Sequence, residues 1–111
     1  MPAVTTNLVV EQGATWAHGW RVRFNGDPIT AAWTAHAQLR AGKSKTSALL
    51  HTFTASVSDT GDVVIGVPFA ASEAWDFTKG YYDVEVTSPD GETRLRVAQG
   101  SVKVSQEVTD D

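Results

Sequence analysis

Three histidines, His18, His36 and His51, are the side chains of this sequence best suited to hold a transition metal. A zinc site needs several such ligands to converge, with partners behind them that fix each ring. These three fall on separate stretches of chain, and no two are close enough to force proximity. No metal site is therefore expected. His18 stands between Trp16 and Trp20, where a hydrogen-bonded, half-buried imidazole is the simpler role. Gly42-Lys43-Ser44 has the tail of a phosphate loop, but the glycine required five residues earlier is Ala37, and an apolar strand follows where a helix is needed. The stretch reads as a solvated loop whose Lys43 and Lys45 can meet an acidic partner surface. Asp59-Thr60-Gly61-Asp62 lacks the spacing of a twelve-residue calcium loop and makes a good turn without metal; Asp76 and Asp83 add nothing to it. Asp83 and Glu85 share the outer side of one strand. Glycoside chemistry needs carboxylates that converge across a cleft, so solvated or interfacial charge is expected here instead. No Gly-x-Ser-x-Gly elbow is present. No catalytic residue, cofactor or enzyme activity is expected.

Four tryptophans in 111 residues leave two readings. Trp16, Trp20, Trp33 and Trp75 could form a platform on which sugar rings stack, with a host-surface glycan as partner. Trp16 and Trp20 also alternate with Val22 and Phe24, which favours the core, where large aromatic rings dominate the energetics. Trp33, just after the 29–32 loop, is the best candidate for exposure.

The elements that must position these residues follow from composition and period. The length suits one domain, able to bury roughly two thirds of its unfolded surface. With no cysteine there is no disulfide framework and no thiol chemistry. A net charge of -4 gives no overall basic footprint, so nucleic acid is not an expected partner. No apolar run reaches the length of a membrane span, and the start lacks the basic and apolar regions of a secretory signal.

Period-two alternation dominates. Trp16, His18, Trp20, Val22 and Phe24 form one face of a strand that ends at the Asn25-Gly26-Asp27-Pro28 turn. Trp33, Ala35, Ala37 and Leu39 line a second strand, and Leu49, His51, Phe53, Ala55 and Val57 a third. Residues 52–67 read as a hairpin with Asp59-Thr60-Gly61-Asp62 at its tip. Residues 69–78 contain the one helical piece, with Ser72 as its cap and Trp75 plugging one end of the core. Tyr82, Val84 and Val86 alternate on a strand that turns at Ser88-Pro89-Asp90-Gly91, and Gly100 kinks the return. The sum is an all-β, antiparallel immunoglobulin-like sandwich of seven to eight strands with one short helix. Gly80-Tyr81-Tyr82 before Val84 has the spacing of a tyrosine corner, in which the Tyr82 hydroxyl would tie to upstream backbone and order the loop before its strand. Residues 1–7 read as an arm, 8–105 as the sandwich and 106–111 as a polar tail.

The order of several short motifs carries a resemblance. Glu11-Gln12-Gly13-Ala14-Thr15, Asn25-Gly26-Asp27-Pro28-Ile29-Thr30, Ala35-His36-Ala37-Gln38-Leu39-Arg40 and Gly80-Tyr81-Tyr82-Asp83-Val84-Glu85-Val86 occur in that sequence. From about Leu8 to Val108 the chain resembles small tail and baseplate proteins of long-tailed phages, in particular the N-terminal domain of baseplate upper proteins. It departs from them at Ala14, where an acidic residue is usual, and at Thr30-Ala31-Ala32-Trp33. The resemblance implies a non-enzymatic virion component, located in the tail or baseplate after assembly in the host cytoplasm. It would act as an adaptor, plug or ring subunit in a symmetric oligomer with other virion proteins. A capsid decoration protein is the nearest alternative. Interfaces are expected at residues 1–7, 41–47 and 106–111, with Lys43, Lys45, Trp33, Asp83 and Glu85 as contact residues, and with Trp16, Trp20, Trp75 and Tyr82 structural.

Overall fold

The computed structural model describes residues 3–106. Its strands are β1 (Val4–Thr5), β2 (Leu8–Glu11), β3 (Trp16–Arg21), β4 (Arg23–Phe24), β5 (Asp27–Pro28), β6 (Thr34–Arg40), β7 (Leu49–Thr52), β8 (Thr54–Val57), β9 (Asp62–Val67), β10 (Lys79–Thr87) and β11 (Arg94–Ser105), with one helix, α1 (Phe69–Glu73). The large sheet runs β1-β11-β10-β6-β7, with β2 continuing beside β11; the small sheet runs β3-β9-β8. Adjacency of β6, β10 and β11 in one sheet, and of β3, β9 and β8 in the other, is the C-F-G and B-E-D order of an immunoglobulin sandwich. The expected fold class is the one observed.

The finer count has a physical reason. β1 and β2 are one interrupted run, because Val4↔Ala98 and Leu8↔Val102 keep the same offset along β11. β7 and β8 are one segment that changes sheets. Thr52 pairs with Gln38 in the large sheet, Thr54 pairs with Gly66 in the small one, and buried Phe53 makes the crossing while its N–H donates to Ala37 O at 3.0 Å. Asn25 and Gly26 both take positive φ, 53° and 85°, so β4 and β5 close as a two-residue hairpin.

The core is aliphatic at its centre. Leu39, Val63, Ile65, Val84, Val86 and Val102 are fully buried. Removing such side chains from water is worth roughly 1.5–3 kcal/mol each, which is what holds two sheets face to face. An aromatic layer leans on this centre: Trp20 stacks on Tyr82 at 6.2 Å, and Phe53 meets both Trp16 and Tyr82. Trp16, Trp20 and Trp75 are partly buried against the core.

Several expectations are corrected. The aromatic alternation stops at Arg21: Val22 stays buried, but Phe24 is 36% exposed on the β4–β5 hairpin, where it meets Trp33 edge-on. Leu49 leaves the parity of its strand because the register with β6 shifts between Leu39 and Arg40. Ser72 does not cap the helix. Pro68 stands at the N-cap, and buried Ser72 Oγ accepts the Gly13 N–H at 2.9 Å, joining helix to loop. Tyr82 makes no tyrosine corner, since its hydroxyl donates to Thr6 O, 76 residues upstream. Burial pushes the Tyr82 phenol up to about 12, against the opposing pull of that hydrogen bond.

The same contact redraws the arm. Val4 and Thr5 pair with β11, and Asn7 Oδ1 accepts from Ser101 N and Oγ at 3.1 Å. Residues 4–7 therefore belong to the sheet. Gly100 lets them pass, since a Cβ there would sit 2.3 Å from Thr6 O. Residues 1 and 2, and all but Gln106 of the expected tail, lie outside the described residues.

Candidate docking face

Outward-facing positions of the large sheet are Gln38 and Arg40 on β6, Tyr81, Asp83 and Glu85 on β10, and Arg94, Arg96 and Gln99 on β11. The 41–48 loop rises beside them, closed by Ala41 N–H to Ala48 O at 2.9 Å and by Arg40 Nη1 to Ser47 O at 2.9 Å. Together they enclose an open trough of about 990 Å³ that also reaches Lys43 and Lys45. Strand pairing thus brings together four of the five predicted contact residues, Lys43, Lys45, Asp83 and Glu85. It excludes the fifth. Trp33 lies at the other end of the sandwich, half-buried against Phe24, rather than exposed.

The trough has two electrostatic halves. In one, Arg94 and Arg96 neutralise the carboxylates: Arg94 Nε lies 3.8 Å from Glu85, and Arg96 lies 4.0 Å from both Asp83 and Glu85. Such exposed pairs contribute about 0–1 kcal/mol each. At its other end, and just beyond it along β10 and β11, cations have no acid partner among the described residues. Lys43 and Lys79 both lie 5.5 Å from the Tyr81 ring. Lys79 stands directly opposite Lys103 across the β10–β11 ladder. Like charges in that position oppose strand pairing. Among the described residues, Arg40, Lys43, Lys45, Lys79 and Lys103 form no ion pair; Arg40 spends its guanidinium on Ser47 O and Gln38 Oε1.

Arg40, Tyr81, Lys79, Lys103, Arg94 and Arg96 were not singled out from sequence. Asp83 and Glu85 pointed to the right face of β10. The neighbours arrive from β6 and β11, whose register no local pattern specifies.

The histidines do not converge, and no group of three or more potential metal ligands occurs among the described residues. His36 is exposed on β6. His18 is half-buried between Trp16 and Trp20, with ring centroids 6.3 and 4.7 Å away. Its contacts among the described residues are these rings, in place of the expected hydrogen bond. His51 packs edge-on to Phe53 and Trp75, and its buried Nε2 has no hydrogen-bond partner. Burial holds the His51 imidazole below its ordinary value of 6.5. The Asp59-Thr60-Gly61-Asp62 turn is closed by its own bonds, Gly61 N–H to Ser58 O and Ser58 N–H to Asp62 O, and Asp59 also accepts from Ala31 N–H of the 29–32 loop. Asp62 is held below the usual carboxylate range by Arg21 and Thr60, and Asp90 by the Ser88 hydroxyl and Glu92 N–H.

No family model matches this chain, and no curated protein matches it. Solved structures of related shape include extracellular domains of voltage-gated sodium channel beta subunits. One has 12% identity over 91% of this chain and 92% of that chain, with a TM-score of 0.47. Another, from the beta4 subunit, has 10% identity over 97% of each chain, with a TM-score of 0.45. A family 123 glycoside hydrolase from Clostridium perfringens matches 96% of this chain at 15% identity and a TM-score of 0.45, but only 24% of its own chain. Likeness at this level supports no functional inference.

Proposed function

We propose that this chain is a non-enzymatic structural component of a bacteriophage particle, an adaptor or ring subunit of the tail or baseplate that works through protein–protein contacts. The motif order that resembles phage baseplate proteins supplies the class. The observation that carries the mechanism is the trough and its margin: Arg40, Lys43 and Lys45 line it, Lys79 and Lys103 stand beyond it on β10 and β11, and none of the five pairs with a carboxylate among the described residues. A rigid sheet holds these charges at fixed spacing, so an acidic protein surface can meet them without ordering a loop first. A sugar-stacking role draws less support, because all four indoles lean on the core.

Antibody labelling of purified particles, followed by electron microscopy, tests the assignment. Label at the tail or its tip is the expected result. Label over the head would replace it with capsid decoration. Absence from particles, together with tryptophan fluorescence that responds to glycans, would replace it with carbohydrate binding.

A further inference from the structure

The cationic end of the trough is one pole of a molecule whose charge is unequally divided: Glu11, Glu73 and Asp76 also lie near that end but leave cations in excess there. Arg40, Lys43, Lys45, Lys79 and Lys103 gather where β6 ends and β10 begins. β10 then runs nine residues, about 26 Å at strand rise, to the opposite end. There the turns carry acids. Asp90 and Glu92 lie in the β10–β11 turn, Asp59 and Asp62 at the β8–β9 turn, and Asp27 in the β4–β5 hairpin. Arg21 neutralises Asp62 at 3.2 Å and Arg23 spends its guanidinium on Gly26 O, while Asp27, Asp59, Asp90 and Glu92 form no ion pair among the described residues. Asp90 accepts hydrogen bonds from its own turn, and Asp59 from Ala31 N–H of the neighbouring 29–32 loop, which fixes both carboxylates without discharging them.

We propose that copies of this chain associate head to tail, the acidic turn end of one copy seated on the cationic end of the trough of the next. The inference rests on the structural-subunit reading above and deepens it by naming the partner surface. Charge complementarity selects a second copy: among the described residues this chain carries an excess of unpaired cations at one end and of unpaired acids at the other. Nucleic acid fits less well, since the chain as a whole carries a net charge of -4. Contact between two different patches leaves one free patch of each kind on the pair. Such heterologous contacts close into a ring or continue as a stack. Multiplying one weak polar contact around a ring then gives a stable assembly.

Sedimentation velocity of the purified chain tests this without any particle. Association that rises with concentration at low salt and fades toward 0.5 M salt is expected, because the screening length then falls to about 4 Å from about 10 Å at 0.1 M. Lys43→Glu with Lys45→Glu, and separately Asp90→Lys with Glu92→Lys, should each weaken association about tenfold or more. Circular dichroism checks that both variants fold. Mixing the two variants gives the sharpest readout. The first keeps a working acidic end and the second a working trough, so together they should form a dimer that cannot grow. A chain monomeric at all salt concentrations, association indifferent to both variants, or a mixture that stays monomeric would overturn the proposal. So would a trough that binds a single-stranded oligonucleotide while the chain fails to self-associate. If the chain stays monomeric yet labels the tail, the head-to-tail contact fails and the particle assignment stands; self-association without particle label gives the reverse.

Discussion

Inside the sandwich the two sheets are alike. The large one contributes Leu39, Val84, Val86 and Val102, the small one Val63 and Ile65, all fully buried. Outside they diverge. The large sheet carries Arg40, Lys79, Asp83, Glu85, Arg94 and Arg96. The outer side of the small sheet carries Ala17, Gly19, Thr54, Ser56, Val64 and Gly66, with Phe69 at its margin. Water exclusion imposes one chemistry on any inner face. An outer face is under no such constraint, so residues there are free to serve contacts with other molecules. Only one of these two surfaces concentrates charge.

The largest test concerns the inner faces. Leu39→Ala and Ile65→Ala should each lose about 2–5 kcal/mol in chemical denaturation, since both open a cavity in the same core. If one costs little, the sheets are not equivalent inside. Next is the edge unique to the large sheet. Gly100→Ala should cost about 1–3 kcal/mol, because its methyl group cannot share space with Thr6 O. Hydrogen exchange at residues 4–8 should quicken while β9 stays protected; uniform quickening would mean that the N-terminal run is not a separate, expendable edge.

A third expectation concerns pH. The folded state holds the His51 value below the unfolded one, so the neutral imidazole is favoured on folding. This stability is complete above about pH 6.5 and declines as pH falls below it. His51→Phe should flatten the decline between pH 7 and 5. Asp62 and Asp90 act in a separate window, because their lowered values make their contribution disappear only below about pH 4. An unchanged slope in His51→Phe would remove His51 as the source. The smallest stability effects belong to the outer faces themselves. Arg96→Gln and Ala17→Arg should each shift stability by about 0.5 kcal/mol or less. Their contrast is in association: Lys43→Glu on the large sheet's rim should alter self-association, and Ala17→Arg should leave it unchanged. Equal effects would erase the difference between the two surfaces.

Much of the sandwich was legible because strand burial has period two. Tyr82, Val84 and Val86 announce an inner face whatever partners them, and Asn25-Gly26 announces a hairpin because both residues tolerate positive φ. The docking face was legible only in part. Asp83 and Glu85 were correctly placed on an outer face, and Lys43 and Lys45 on a loop. That these four share one trough with Arg94 and Arg96 depends on which strands flank β10. Ser72, Tyr82 and Phe24 misled for a related reason. Local spacing suggested a cap, a corner and a core ring, and distant partners at Gly13, Thr6 and Trp33 decided otherwise.

Sequence by itself determined the fold class, the turns and the identity of most inner faces, because alternation and turn chemistry are local properties of the chain. Tertiary structure alone decided three things. It set Lys79 against Lys103, it threaded the N-terminal run past Gly100 beneath the Tyr82 hydroxyl, and it brought Arg94 and Arg96 against Asp83 and Glu85. Each depends on residues far apart in the chain meeting in one register, and register follows from how two whole sheets close over a shared core.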